Sequence, residues 1–145
     1  VRFIEFMPLD RGRIWDHKHL VPATEIRETI NSAFPIVLIN PSRKGETAWR
    51  YRFADGTGCE IGLIASVTDA FCGDCSRIRL TADGQIRTCL FSTQEYDVRE
   101  LLRSGGSRSE VTELIRFAVA RKEYGHKIGS STFTNPSRPM SSIGG

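Results

Sequence analysis

The chain has 145 residues, enough for one domain with a real core, or for a small domain and part of another. An apolar share of 39%, a charged share of 26% and a formal charge of +3 are ordinary for a soluble globular protein. No apolar run reaches the roughly 18 residues that a membrane span needs, and no signal-peptide pattern opens the sequence, so we expect no membrane partner. We interpret the excess of basic residues from Arg103 onward as a solvated helix face, so we expect no nucleic-acid partner either.

The first 45 residues predict one unit of an α/β fold. Val1–Met7 is apolar apart from one arginine and one glutamate, as expected for a buried strand. Pro22–Phe34 has apolar residues four positions apart and predicts a helix, and the segment PIVLIN that follows predicts a second strand. A single strand–helix–strand unit indicates the end of a larger α/β fold, so we expect residues 1–45 to be preceded by further chain.

Residues 46–145 predict a small domain of antiparallel strands and helices. The Asp-Gly pairs at residues 55–56 and 83–84 are typical of hairpin turns. Capping boxes at Asp97–Glu100 and Ser107–Glu110 predict two helices. The tail from Gly125 has no core-forming periodicity, and we expect its last residues to be mobile. The apolar face of the last helix is predicted to contain Val111, Leu114, Ile115, Ala118 and Val119.

The stretch FCGDCSRIRLTADGQIRTCLF, residues 71–91, gathers three cysteines around a predicted hairpin. Cys72, Cys75 and Cys89 have C-x2-C-x13-C spacing. The motif contains an odd number of thiols and nothing marks the chain as secreted, which argues against a disulfide framework. Three thiolates suit a 4Fe–4S cluster whose remaining iron stays open to a ligand, as catalytic zinc sites also keep an open position.

Zinc is the main alternative for these thiols. One of the three histidines, His17, His19 or His126, could supply a fourth ligand, although none has ligand spacing to the cysteines. A thioredoxin-like C-x-x-C would leave Cys89 unexplained. Cys59 lies outside the motif and is predicted to be a small buried hydrophobic residue of a strand.

Arg77 and Arg79 closely follow the second cysteine. In a strand, a spacing of two residues puts both guanidinium groups on one face and puts Ile78 and Leu80 on the other. Guanidinium groups beside a metal ligand can bind phosphate and offset the negative charge of a cluster. The commoner alternative is a pair of solvent-facing arginines, but beside three cysteines we favour the functional interpretation.

Three segments together resemble a known family: FCGDCSRIRLTADGQIRTCLF, the opening VRFIEFMP and the terminal IGG. They are similar to the molybdenum-cofactor biosynthesis protein A family, the GTP 3′,8-cyclases among the radical S-adenosylmethionine enzymes. The resemblance covers the whole chain, as the carboxy-terminal part of a complete member. It implies an α+β fold with two parts. Residues 1–45 would be the last β/α unit of an incomplete TIM-like α/β barrel, and residues 46–145 a small antiparallel-sheet and helix domain that holds an iron–sulfur cluster.

The resemblance also implies roles for individual residues. Three cysteines would hold a 4Fe–4S cluster that contacts the guanine of GTP, and the segment behind the second cysteine would lie against the substrate. The cluster ligands would be Cys72, Cys75 and Cys89, and the GTP-binding residues Arg77, Ile78 and Arg79, with Ile78 contributing main chain if its side chain faces the core.

Residues at both ends of the chain match further positions of the family. Met7 matches a methionine that contacts S-adenosylmethionine, for which ordinary barrel packing is the alternative. Arg2 is a weaker candidate for triphosphate binding. Gly144 and Gly145 would reach into the active site and support catalysis.

The chain departs from the family by lacking the C-x3-C-x2-C motif of a second cluster, which binds S-adenosylmethionine. By the resemblance, a complete cytoplasmic enzyme would convert GTP to 3′,8-cyclo-7,8-dihydro-GTP for molybdopterin synthesis. Its expected partners are the missing radical S-adenosylmethionine barrel, cyclic pyranopterin monophosphate synthase as acceptor of the product, and a second copy in a homodimer. The 145 residues alone are expected to be inactive.

Two other classes of protein remain as alternatives. A non-catalytic zinc-ribbon interaction module would contain four ligands and one zinc. A sulfur-carrier protein would use the terminal Gly-Gly, but a compact carrier domain would not need the three cysteines.

Overall fold

The computed structural model describes residues 1–9, 12, 14–40 and 45–143. It contains both helices and mainly antiparallel strands, which confirms the α+β class. The chain forms two compact units, the first from Val1–Pro8 and Ile14–Cys75, the second from Leu9–Arg13 and Ser76–Gly145. The predicted boundary between a first domain, residues 1–45, and a second domain, residues 46–145, stays a prediction. Among the described residues, no helix has the length and apolar character to cross a membrane.

The first unit is built on a four-stranded sheet. Its strands are β1 (Arg2–Ile4), β2 (Ile36–Leu38), β3 (Trp49–Phe53) and β4 (Glu60–Ile64). They lie in the order β1-β4-β3-β2, and only the β1–β4 pair is parallel. The predicted Asp-Gly turn joins β3 to β4, and its glycine, Gly56, has a φ of 79°.

One helix, α1 (Ala23–Ala33), packs against this sheet, where apolar spacing predicted it. A 3-10 turn at His17–His19 precedes it. The buried core of the unit consists of Ala23, Leu63 and Ala65, with Phe3, Ile26 and Tyr51 packed around them.

Glu5 links three separate segments of the first unit, and only 3% of it is exposed. Its carboxylate accepts hydrogen bonds from the N–H groups of Ala23 at 2.9 Å, Val67 at 2.7 Å and Thr68 at 2.9 Å. The Thr68 hydroxyl donates a fourth bond at 2.5 Å. Burial raises the pKa of Glu5, but these bonds together outweigh burial, so its pKa lies below the ordinary value. The carboxylate also caps α1, whose own N-cap residue, Pro22, makes no side-chain cap.

The prediction of a buried strand over Val1–Met7 is wrong in its burial and its length. The strand covers Arg2–Ile4, and Ile4 is 56% exposed. β1 lies at the edge of the sheet and pairs with β4 alone. The one fully buried position of the segment 1–7 is a charged residue, Glu5, because its hydrogen bonds offset the loss of water.

The second unit contains a three-stranded antiparallel sheet in the order β5-β6-β7. The strands are β5 (Arg79–Leu80), β6 (Gln85–Arg87) and β7 (Tyr96–Asp97), and the helices are α2 (Val98–Arg103) and α3 (Arg108–Ala120). Both predicted caps are present, since Asp97 accepts from the N–H of Glu100 and Ser107 forms a complete capping box with Glu110.

The core of the second unit joins β6 to both helices. Ile86, Val98 and Ala118 are buried, and the partly buried residues around them are Tyr96, Val111, Leu114 and Ile115. Four of the five residues predicted for the apolar face of α3 therefore contact this core. The fifth prediction is wrong, because Val119 lies at the margin of this face and is 46% exposed.

Candidate functional site

Cys72 and Cys75 lie on a tight turn at the end of the first unit. Residues Cys72–Asp74 form a 3-10 turn, and the N–H of Cys75 donates to the Cys72 carbonyl at 3.1 Å. Both cysteines are half-buried. None of the chain's four cysteines, all of which are described, forms a disulfide. Two thiols spaced by a knuckle of this kind, and not oxidised to a disulfide, are suited to metal ligation.

Cys59 differs from the motif cysteines. It precedes β4 and is exposed, so the prediction of a buried residue is wrong. Its N–H bonds to the Thr57 hydroxyl at 3.3 Å within the turn that joins β3 to β4. Because the turn extends as far as Cys59, the residue lies outside the ladder that buries Ile61 and Leu63.

Arg77 and Arg79 have different environments. β5 begins at Arg79, which is half-buried, whereas Arg77 precedes the strand and is exposed. The predicted strand is therefore correct for Arg79 and wrong for Arg77. Ile78 is 44% exposed and Leu80 is 62% exposed, so neither faces the core. The reason is that β5 is an edge strand, and the helices pack over β6 instead.

Cys89 follows β6 in the second unit and is half-buried. It lines a cavity of about 200 Å³ together with aromatic and charged side chains. The ring of Phe91 makes edge contacts with His126 and Phe133, at centroid distances of 5.2 Å and 6.1 Å. Glu123 and Lys127 are the charged residues of the lining. This cavity has room for a small planar group beside the thiol-bearing residue.

Lys122 and Glu123 belong to this neighbourhood, and neither was predicted from the sequence. They directly follow the end of α3. The Lys122 ammonium group donates to the carbonyl of Arg77 at 2.9 Å and to the carbonyl of Thr88. Glu123 accepts a bond from the Thr88 hydroxyl at 2.6 Å. No sequence signal pointed to them, because the contacts span 34 to 45 residues of chain.

Met7 and Arg2, the candidates near the amino-terminal end, lie in the first unit. Met7 is half-buried in irregular chain after β1, and Arg2 is exposed on β1. The Arg2 side chain lies across Gly62 of β4, since a Cβ added at Gly62 would be 2.6 Å from the Cδ of Arg2. The missing side chain at residue 62 therefore gives the Arg2 side chain its place on the sheet.

The tail is anchored further along than the sequence predicted. Ile143 is fully buried, and a 3-10 turn at Met140–Ser142 precedes it. The guanidinium group of Arg138 bonds to both carboxylate oxygens of Asp83, at 3.1 Å and 2.8 Å, and to Glu95 at 2.8 Å. The prediction that apolar burial does not fix the tail is therefore wrong at Ile143. Gly144 and Gly145 lie outside the described residues.

The charges around Arg138 form a network with a second arginine. Glu95 also pairs with Arg87, at 2.9 Å, and Arg87 is 1% exposed. Hydrogen bonds from Arg138, and then from Thr81, lower the pKa of Asp83 to about 2. The network links the β5–β6 turn to the tail.

The three histidines were the candidates for a fourth metal ligand. His17 and His19 are exposed in the first unit, and His126 lines the cavity of Cys89 in the second. Within the described ranges, no three His, Cys, Asp or Glu residues form a group that could hold a metal ion.

Comparison with known proteins gives consistent matches over the chain. The family profile Molybdenum Cofactor Synthesis C matches residues 1–128. "GTP 3′,8-cyclase" of Streptomyces coelicolor is 41% identical over 145 residues, which is 100% of this chain and 42% of that protein. "GTP 3′,8-cyclase" of Mycolicibacterium smegmatis is 42% identical over 148 residues, and that of Rhodopirellula baltica is 43% identical over 149 residues. Each match covers 100% of this chain and 41% of the relative.

The chain therefore spans about two fifths of the length of the curated relatives that it matches. The family profile covers most of its residues, and all four cysteines and both arginines of the candidate site lie inside the matched range 1–128. On this evidence the chain belongs to the Molybdenum Cofactor Synthesis C family.

Proposed function

We propose that this chain is the carboxy-terminal part of a GTP 3′,8-cyclase and that it binds GTP beside an iron–sulfur cluster. The observation that carries the proposal is the C-x2-C-x13-C spacing of three cysteines, with two arginines closely following the second cysteine, in a chain that is 41% identical over its whole length to a GTP 3′,8-cyclase. In the full-length enzyme, GTP would be converted to 3′,8-cyclo-7,8-dihydro-GTP for molybdenum cofactor biosynthesis.

The ligands we propose for one 4Fe–4S cluster are Cys72, Cys75 and Cys89. The donor set supports this, because thiolates are the usual ligands of such clusters and none of the three thiols is in a disulfide. With three protein ligands, the cluster would supply one iron that can accept an atom of the guanine base. A second cluster and S-adenosylmethionine, which supply the radical chemistry, would be bound by the rest of the enzyme, with Met7 contacting S-adenosylmethionine.

The protein part of the mechanism is the placement of GTP. We propose that Arg77 and Arg79 bind it through charge-assisted hydrogen bonds and that Ile78 contributes its main chain. The exposure of Arg77 supports a role in binding a ligand that arrives from solvent. Closure of the ring joins C3′ of the ribose to C8 of the base, so the chain must hold sugar and base in one fixed orientation.

Metal analysis after anaerobic reconstitution tests the cluster. We expect about four irons per cluster-binding chain, with a broad visible absorbance. Replacing Cys72, Cys75 or Cys89 by Ser should abolish the iron, whereas Cys59→Ser is the matched control and should retain it. Stoichiometric zinc that resists reconstitution would instead identify a zinc-ribbon module.

Binding measurements in the full-length enzyme test the arginines. Arg77→Ala and Arg79→Ala should each weaken GTP binding by about 1.5–3 kcal/mol, the range for hydrogen bonds to charged groups, with iron content unchanged. Unaltered GTP affinity in both variants would mean that Arg77 and Arg79 are surface residues without a role in GTP binding.

The terminal glycines and the partners complete the proposal. Gly144 and Gly145 support catalysis, so deletion of both should abolish cyclisation while iron content and stability are retained. Wild-type turnover of the deletion variant would contradict this role. Residues 1–45 would complete the radical S-adenosylmethionine barrel of a cytoplasmic enzyme, which we propose acts as a homodimer and passes its product to cyclic pyranopterin monophosphate synthase.

A further inference from the structure

The hairpin that carries the candidate site is closed by sheet hydrogen bonds over a short distance only. The register pairs of β5 and β6 are Leu80 with Ile86 and Arg79 with Arg87. Arg77 lies two residues before β5 and Thr88 lies one residue after β6, so both lie beyond the same, open end of this ladder. The two chain segments that continue beyond the ladder are the ones that carry the candidate GTP-binding residues and Cys89.

One side chain links these two segments. The ammonium group of Lys122 donates to the carbonyl of Arg77 and to the carbonyl of Thr88. An ammonium group has three donors and no acceptor, so it can serve two carbonyls at once. Bonds from a charged donor are stronger than those between neutral groups. The bond to the Thr88 carbonyl is partly buried, which limits competition from water, whereas the bond to the Arg77 carbonyl is exposed.

The backbone that carries Lys122 is held in place by a hydrogen bond and by the nearby core. Lys122 follows α3, and its own N–H donates to the carbonyl of Val119 at 3.0 Å. Ala118, four residues earlier, is fully buried in the core of the second unit. Glu123, the next residue, accepts a hydrogen bond from the Thr88 hydroxyl and so holds the Thr88 side chain. The end of α3 can therefore transmit its position to both segments of the hairpin.

We infer that Lys122 is a positioning residue, which sets the spacing between the Arg77–Arg79 main chain and Cys89. Its consequence for GTP rests on the proposed function. The ammonium group bonds to main-chain carbonyls, so it acts on the course of the backbone at Arg77 and Thr88. Loss of the link separates the two segments at their open end, while β5 and β6 remain paired.

The test compares Lys122→Met with Lys122→Arg and Lys18→Met in the full-length enzyme. Lys18 is exposed in the first unit, so its replacement is matched for the loss of one ammonium group. We expect Lys122→Met to raise amide hydrogen exchange about tenfold at residues 77–80 and 88–89, and to weaken GTP binding about tenfold, the effect of one lost charge-assisted bond. Lys122→Arg should restore both, and Lys18→Met should change neither.

Each outcome separates this inference from the proposed function. If wild-type enzyme binds GTP and Lys122→Met shows unchanged exchange and affinity, the inference is wrong. Faster exchange throughout the second unit would indicate a general structural role and also overturn it. If wild-type enzyme binds no GTP, the proposed function fails, and the exchange pattern alone decides on Lys122. If Lys122→Met does not fold, Lys122→Gln, which loses the charge and reaches less far but keeps an amide donor, should show a smaller increase in exchange at the same residues, and unchanged exchange there would overturn the inference.

Discussion

In each of the two units, one charged side chain connects separate segments of the chain, and the two side chains have different kinds of partners. Glu5 in the first unit is 3% exposed and is held by uncharged donors, three of them backbone N–H groups. Arg138 in the second unit keeps 27% of its side chain exposed and is held by the carboxylates of Asp83 and Glu95. One link depends on burial and fixed dipoles, and the other depends on opposite charge.

The difference shows that a charged group can be held without an opposite charge. The backbone donors around Glu5 are fixed by the helix and chain to which they belong, so they need no side-chain ordering. Water can replace the partners of a part-exposed ion pair such as Arg138 with Asp83, and salt screens it. We therefore expect the link without a countercharge to contribute more to stability.

The largest effect should come from Glu5→Gln. The amide has one acceptor oxygen and brings donor hydrogens against donors, so buried N–H groups lose their partner. We expect a loss of about 4 kcal/mol in the free energy of unfolding of the first unit, within the range for breaking a buried charged contact. Urea unfolding and amide exchange at Ala23, Val67 and Thr68 measure it. Glu25→Gln, at an exposed position of α1, is the control, and an equal effect there would refute the ranking.

Ile143→Ala should have the next largest effect, and it separates burial from charge in the tail. Ile143 is fully buried, so removal of its outer carbons leaves a cavity in the second unit. We expect a loss of about 3 kcal/mol in the free energy of unfolding. Val119→Ala, at a position 46% exposed, is the control. If the two variants were equally stable, Arg138 alone would account for the anchoring of the tail.

Arg138→Met should destabilise the second unit less, by about 1 kcal/mol, because its ion pairs are partly exposed. The effect should decrease in concentrated salt, whereas that of Glu5→Gln should not. Thermal unfolding at two salt concentrations tests this. Arg116→Met removes an exposed pair with Glu113 and serves as the control. A loss larger than that of Glu5→Gln would reverse the comparison.

The smallest expected effect is a change in the stability of the second unit at acidic pH. The pKa of Asp83 is lowered from 3.8 to about 2, so its contribution to stability is complete above pH 3.8 and is lost as the pH falls towards about 2. Asp83→Asn should flatten the acid dependence of the second unit in that window. The measurement is amide hydrogen exchange in the tail of the metal-free chain, recorded at several pH values between pH 4.5 and 2. An unchanged pH profile would mean that the Arg138 bonds do not favour the charged form of Asp83.

Elements governed by local spacing could be predicted from the sequence. α1, the Asp-Gly turns and the capped starts of α2 and α3 depend on residues within a few positions of one another. Gly84, for example, has a φ of 80° in the predicted turn.

Burial and long-range bonds could not be predicted in the same way. The exposure of Ile4 and Ile78 follows from edge positions, which depend on strand order. The contact of Glu5 with Thr68 spans 63 residues and that of Lys122 with Arg77 spans 45 residues. No periodicity reports such contacts, although a lone glutamate in an apolar run was a signal for Glu5. The cysteine set itself was evident from spacing, and its metal remains a prediction.

The place of the Arg2 side chain over Gly62 has an evolutionary consequence. Any side chain at residue 62 would occupy the space of the Arg2 guanidinium stem, while the backbone of the sheet could stay as it is. A substitution at residue 62 would therefore move a cation and leave the fold intact. Because Arg2 is exposed and its side chain is flexible, the guanidinium group can turn towards solvent when residue 62 becomes alanine or serine. Among relatives, the residue at position 62 should therefore set where the cation of residue 2 lies, without deciding whether an arginine is present.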